Sequence, residues 1–282
     1  MRVAVIGKKG QLARALQDEV QTASYHFVGS EELDLTNAEA VNAFFNANDF
    51  DIIINCAAYT DVDGAEDDEL AAKTLNHTAL AHLVEVCKMH QMRLIHISTD
   101  YVFDGKATAP YQEEFPCNPL SVYGKTKRAG ELEIIQSDID ALIIRTTWLY
   151  SHYGKNFVKT MLKLAETNTQ LKVVNDQIGR PTYANDLAEA LLTLVNRTQE
   201  WPKGASIYHF SNSGECSWAD FAREIFKLKQ LQVVVEDCDS NTFLTKAQRP
   251  SYSVLDLGKI KRDFQIFPRT WQEALHDCLK AI

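Results

Sequence analysis

The chain opens on a short apolar run, Val3–Ile6, that feeds into Gly7-Lys-Lys-Gly10-Gln-Leu-Ala13 and then a helical pattern; no other feature constrains its fold as much. A strand that turns on glycine into a helix aims backbone N–H groups and the helix N-terminus at one point, a geometry suited to a pyrophosphate. The spacing is GxxGxxA rather than GxGxxG. Alanine at the third position still lets helix and strand approach closely. Lys8 and Lys9 add local cations. An ordinary tight turn uses the same residues, so the loop alone leaves both readings open.

The next hundred residues repeat that rhythm. Strands are predicted at Val3–Ile6, Tyr25–Val28, Asp51–Asn55, Arg93–Ile97 and Ala141–Arg145, with helices at Gln11–Val20, Asn37–Asn46, Glu69–His90 and Tyr123–Ile135 between them. Thr36 followed by Glu39 reads as a capping box for the second helix. Strands apolar on both faces, alternating with helices, specify an α/β fold with a doubly wound parallel sheet. After Tyr150 the rhythm changes. Helices are expected at Phe157–Glu166, from an Asn185 cap to Val195, at Trp218–Lys227 and at Thr270–Leu279, with strands at Leu171–Val174, Ile207–Phe210 and Val233–Glu236. This divides the chain into a nucleotide-binding domain, 1–150, and a smaller mixed α/β lobe, 151–282. With no Pro/Gly/Ser linker between them, the lobe should pack tightly on the first domain, with room for elements returning to it.

Composition excludes several function classes. The net charge of −9 over 282 residues disfavours sequence-independent nucleic-acid binding, which needs a basic footprint. No stretch approaches the ~20 apolar residues of a membrane helix, and the N-terminus lacks the apolar core of a signal peptide. A cytoplasmic protein with no membrane partner is expected. The six cysteines contain no CxxC pair and read as buried free thiols rather than disulfides or a metal site.

Candidate chemistry sits at the strand ends. Ligands of parallel sheets bind beyond the carboxyl ends of the strands. Asn55-Cys-Ala-Ala58-Tyr59-Thr60 follows the third strand, and Ser98-Thr99-Asp100-Tyr101 ends the fourth. Tyr123 and Lys127 then lie four residues apart, on one face of a helix. A cation beside a phenol stabilises its phenolate and lowers its pKa. YxxxK alone is a weak signal, and a solvated helix face gives the same spacing. Asp34-Leu35 is placed to flank an adenine, and Asp34 equally suits a turn. The second strand ends Gly29-Ser30 before Glu31-Glu32, with no plain acid for a ribose 2′-hydroxyl, so NADH and NADPH both stay open. His96 and His209 read as core histidines, and Trp201, Trp218 and Trp271 as packing residues.

The segments GKKGQLARAL, NCAAYTDVDGAE, STDYVFDG, YGKTKRAGE, RTTWLY, GKNFVKTML, DQIGRPTYANDLA and RPSYSVLD together resemble the extended short-chain dehydrogenase/reductases, and most closely their dTDP-4-dehydrorhamnose reductase branch. The resemblance runs from residue 4 to about 256 and implies a Rossmann-like domain with a substrate-binding lobe. It implies reduction of the 4-keto group of a dTDP-linked 6-deoxyhexulose by NADPH or NADH. Tyr123 would be the proton donor, with Lys127 beside it and on the nicotinamide ribose, and Thr99 on the keto oxygen. Gly7, Gly10, Gln11 and Leu12 would cradle the pyrophosphate, while Asp34, Leu35, Ala58, Tyr59 and Thr60 line the cofactor. Asp100, Trp148 and Asn156 fall on the sugar side. Arg180 and Arg249 are candidates for the diphosphate, each equally suited to a structural ion pair. The branch implies a homodimer, with Mg²⁺ at the dimer contact of some members; no carboxylate cluster here demands the ion. A related epimerase, a reductase for another nucleotide-sugar, and a non-catalytic regulatory subunit like that of methionine adenosyltransferase are the competing readings.

Overall fold

The computed structural model describes residues 1–20 and 22–282. Its first half alternates strands with helices: β1 (Val3–Ile6), α1 (Gln11–Glu19), β2 (Tyr25–Val28), α2 (Ala38–Ala47) and β3 (Ile52–Asn55). There follow α3 (Val62–Asp67), α4 (Glu69–Lys73), α5 (Ala79–His90), β4 (Arg93–Thr99), α6 (Val122–Ile135) and β5 (Ala141–Thr146). The second half holds β6 (Leu149–Tyr150), α7 (Phe157–Ala165), β7 (Gln170–Val174), β8 (Ile178–Gly179), β9 (Thr182–Tyr183) and α8 (Ala184–Asn196). It ends with β10 (Ala205–His209), β11 (Cys216–Ser217), α9 (Trp218–Leu228), β12 (Val234–Cys238), α10 (Gly258–Phe264) and α11 (Trp271–Lys280).

Six strands pair in the order β10-β5-β4-β3-β1-β2, all parallel. The fully buried runs VAVI of β1 and ALIIRT of β5 explain this, because a parallel sheet is covered on both faces. Alternate residues face opposite ways: Val3, Val5, Ile52 and Ile54 pack with α1, α8 and α10, while Ala4, Ile6 and Ile53 pack with α2 and α5. The strand order reverses at β1, and the crevice opens there at the carboxyl ends of the strands. The second half supplies the edge strand β10 and the covering helices α8 and α10. The remaining lobe has its own core, in which α7, α9 and α11 pack with residues of the parallel β7–β12 pair.

Three local expectations are corrected. The Thr36–Glu39 capping box does not form, because the Asp34 carboxylate takes both the Thr36 hydroxyl and N–H. Asn37 caps α2 instead, accepting from the Ala40 N–H at 3.1 Å. Helix α8 begins one residue before Asn185, with Tyr183 in the cap position and Asn185 donating to Glu19. The single helix expected over Glu69–His90 is α4 and α5 joined by a π-helical turn, Thr74–Thr78. That turn carries buried Asn76, whose side chain holds both the N–H and the carbonyl of Tyr59 and reaches Thr126 on α6. Gly130 allows the approach, since a Cβ there would lie 2.3 Å from the Asn76 carbonyl oxygen. Among the described residues, no helix is long and apolar enough to cross a membrane.

Candidate active site

A cleft of about 770 Å³ runs along the carboxyl ends of β1, β3, β4 and β5. At one end lie Val28–Ser30 and Leu33–Leu35; in the middle lies the glycine turn; at the other end lie Thr99, Tyr123, Lys127 and Trp148. Gly7 has φ +95°, and a Cβ there would stand 2.8 Å from the Ala57 amide nitrogen. The turn therefore presses against the loop after β3, leaving the N-terminus of α1 open to the cleft. These features fit a dinucleotide with its pyrophosphate on α1. Gly7→Ala is expected to weaken NADPH binding at least about tenfold, because relief of ~1–3 kcal/mol of strain and of the clash at Ala57 shifts the turn away from the geometry that receives the pyrophosphate. A fluorescence titration of the two proteins measures it.

The lobe reaches across to the phosphate turn. Gln11 Oε1 accepts from the Ser151 hydroxyl at 3.1 Å and from Asn156 Nδ2 at 2.7 Å. The Arg14 guanidinium lies over the Tyr153 ring, and the Tyr153 hydroxyl donates to Asp18 at 2.7 Å. Loop 151–156 is thus strapped onto α1, placing Gly154 and Lys155 in the cleft wall. Asn156 also caps α7 through its Oδ1. Its amide donates to Gln11 and to the Ser151 and Tyr153 carbonyls. Lys155 is a third cation beside Lys8 and Lys9 that sequence reading passed over.

At the reaction end, Thr99 closes β4 and α6 presents Tyr123 and Lys127. Ser121 caps that helix by accepting from the Gly124 N–H, and Gly124 lets it approach the Tyr101 carbonyl, from which a Cβ would be only 2.2 Å away. Burial pushes Tyr123 above its ordinary value, with the Thr99 hydroxyl opposing and the Asp100 charge adding. Burial thus favours the protonated phenol. Burial lowers Lys127 itself to about 8, against the pull of Glu131. Burial raises Asp100 to about 6, and bonds from Thr99 and Thr147 restrain it. The Thr99 hydroxyl donates to Asp100 at 3.0 Å and accepts from the Tyr101 N–H.

Glu131, one turn beyond Lys127, ties α6 to the sheet. It accepts two bonds from the Arg145 guanidinium, both 2.8 Å, and one from the Ser98 hydroxyl at 2.6 Å. Burial alone would raise Glu131, but Arg145 holds it below the ordinary carboxylate range.

Trp148 has φ +47°, a conformation rare for a bulky side chain and a mark of local strain. Its indole stacks on Trp218, with centroids 3.5 Å apart, and Gly179 makes room, since a Cβ would stand 2.5 Å from the Trp148 ring. Trp218, read from sequence as packing, therefore supports the cleft wall, and its Nε1 donates to Gln177.

Other candidate residues have different surroundings. Leu35 and Asp34 line the cleft, with Asp34 also serving as the turn acceptor for Thr36. Ala58 and Thr60 line the cleft, whereas Tyr59 is held by its backbone on Asn76. Glu31 pairs with Lys9, and Glu32 with His26. Arg180 donates to the Leu255 carbonyl and pairs with Glu215, outside the cleft lining. Arg249 pairs with Asp63 and reaches the Tyr101 hydroxyl at 3.4 Å, and it too is outside the cleft lining. His96, expected to be plain core, contacts Lys127.

Comparison with known proteins decides the family. The whole chain, residues 1–282, matches the family model described as RmlD substrate binding domain. It is 39% identical over 281 residues to a dTDP-4-dehydrorhamnose reductase of Sinorhizobium fredii, covering 97% of this chain and 95% of that one. The chain belongs to the dTDP-4-dehydrorhamnose reductase family. The spore coat polysaccharide biosynthesis protein SpsK of Bacillus subtilis is 41% identical to this chain, with 99% of this chain and 97% of SpsK covered. The crystal structure of the Bacillus anthracis dTDP-4-dehydrorhamnose reductase in complex with NADP superposes with a TM-score of 0.94 at 34% identity, covering 100% of this chain and 99% of that one. The family's Rossmann-like α/β fold is the fold described above.

Proposed function

We propose that this protein uses NADPH or NADH to reduce the 4-keto group of dTDP-4-dehydro-L-rhamnose, giving dTDP-L-rhamnose for polysaccharide synthesis. The observation that carries this reading is the convergence of Thr99, protonated Tyr123 and Lys127 at the end of a dinucleotide-shaped cleft, against the Trp148 wall. When bound, the reduced nicotinamide supplies hydride. The chain's own residues do the rest. The Tyr123 hydroxyl gives its proton to the carbonyl oxygen as negative charge develops there, and the Thr99 hydroxyl, which donates to Asp100 in this structure, turns its hydrogen to the same oxygen when substrate enters. Lys127, one turn along α6 from Tyr123, offers a cation to the ribose hydroxyls. Trp148, stiffened by Trp218, gives a flat apolar face for the sugar ring, and Arg249, paired with Asp63, is the cation assigned to the substrate's diphosphate.

The test follows loss of the reduced-nicotinamide absorbance with the dTDP-4-keto-6-deoxy sugar after 3,5-epimerisation. Stoichiometric consumption of NADPH or NADH with formation of dTDP-L-rhamnose is expected. Cofactor binding without net consumption would overturn the assignment in favour of an epimerase or a regulatory subunit. A pH dependence accompanies it. Lys127 works as the ammonium, which is lost as pH rises through about 8. NADPH affinity should therefore be flat below that point and fall about tenfold per pH unit well above it, as read from a binding titration across pH.

A further inference from the structure

Asn55 and His96 are direct neighbours in the register of β3 and β4. The Ala57 N–H donates to Asn55 Oδ1 at 3.0 Å, which fixes the amide with its Nδ2 toward His96. That Nδ2 lies 3.2 Å from His96 Nδ1, so Nδ1 has to accept. A neutral imidazole that accepts at Nδ1 carries its hydrogen on Nε2. Nε2 in turn lies 3.1 Å from Lys127 Nζ. Two donors cannot face one another, so this arrangement suits Lys127 as the amine, accepting from His96 and donating to the Ile97 carbonyl at 2.7 Å.

Charging Lys127 reverses the demand. An ammonium has only donors. The ring must then move its hydrogen to Nδ1, and Asn55 must either turn and release the Ala57 N–H or be left facing a donor. The three side chains are 3%, 1% and 1% exposed, so solvent is poorly placed to relieve the mismatch. His96 cannot simply take up a second proton, because burial and the Lys127 charge hold it well below the ordinary histidine range. The other titratable groups around Nζ are Glu131 and Tyr123 on its own helix, and Cys56 after β3. Glu131 favours the ammonium. Burial raises the Cys56 thiol to about 12, so it stays neutral.

We propose that His96 is a positioning residue whose tautomer is coupled to the charge on Lys127. Filling the nicotinamide-ribose end of the cleft draws a proton onto Lys127, switches the ring and loosens Asn55 from the Ala57–Ala58 loop. The proposal rests on the reading of Lys127 as a ligand of the cofactor ribose. It makes the loop that borders the cofactor a reporter of the lysine's charge.

The test uses protein labelled with ¹⁵N-histidine at about pH 8.5, just above the Lys127 value, where long-range ¹H–¹⁵N spectra separate the two tautomers. A His96→Gln variant assigns the signal. The empty protein should show the Nε2–H form, and NADPH should convert it to Nδ1–H. Calorimetry in buffers of different ionisation heat should show uptake of a substantial fraction of one proton per NADPH. In His96→Phe burial still favours the amine, so the uptake should persist while the coupled loosening of Asn55 from the Ala57 N–H is lost. An Nδ1–H ring in the empty protein, or an unchanged tautomer with no proton uptake, would overturn the proposal. If His96→Phe does not fold, the tautomer of the unsubstituted protein still decides. If neither NADPH nor NADH binds, the reductase reading fails, while acidifying the empty protein through about pH 8 must still switch the ring for this proposal to stand.

Discussion

Tyr123→Phe is expected to lower the turnover rate by about 10²–10⁴-fold, the usual contribution of a positioned proton donor. The substitution removes one hydroxyl and keeps the ring, which packs edge-on against Tyr101 at a centroid distance of 5.5 Å. The fold and the cofactor end of the cleft should survive, so NADPH affinity should stay within about threefold of the original. Steady-state rates beside a binding titration separate the two quantities. A variant with near-original turnover would move the proton donor elsewhere. Asp100 would be the next residue to examine, because burial raises it to about 6 and it touches Thr99.

The largest effect on stability is expected at Arg145→Met. Arg145 and Glu131 are both fully buried, and their paired bonds fasten α6 to β5. Removing the guanidinium leaves a carboxylate in the interior, which costs about 3–5 kcal/mol when a buried partner is lost. Arg128 also reaches Glu131, at 2.7 Å, and places the loss toward the lower end of that range. Thermal unfolding should move down by roughly 5–15 °C. Arg145→Lys keeps the charge without the planar fork and should fall between the two. Because Tyr123, Lys127 and Glu131 lie along one face of α6, the destabilised helix should also bind NADPH less tightly. Equal melting temperatures for Arg145→Met and the original protein would show that the pair does not anchor the helix.

Local patterns in the sequence carry much of this architecture. Runs such as VAVI and ALIIR mark buried parallel strands, and the spacing of Tyr123 and Lys127 marks one helix face. What the sequence hides depends on side chains distant in the chain. Trp218 looks like any aromatic opening an amphipathic helix, and only folding brings it onto Trp148, 70 residues earlier. The Thr36–Glu39 pattern satisfies a capping rule, yet a carboxylate two residues before Thr36 competes successfully for its hydroxyl. Arg180 suits a diphosphate or an ion pair by its chemistry, and its contacts with the Leu255 carbonyl and Glu215 come from segments 35 or more residues away. His96 sits in an apolar strand pattern, and its polar neighbours Asn55 and Lys127 come from other elements. Two-residue strands such as β8 and β9 have no periodicity to read.

The position of β10 also governs how the chain is made. Its residues, Ala205–His209, complete a sheet whose other strands all lie before residue 147. During synthesis, the flank of β5 stays open until roughly sixty further residues have left the ribosome. In that interval an apolar strand displays unpaired N–H and C=O groups, the state most prone to join a neighbouring chain. A nascent chain halted near residue 150 should therefore need a chaperone, and one released just past α10, with the sheet and its α8 and α10 cover complete, should need it far less.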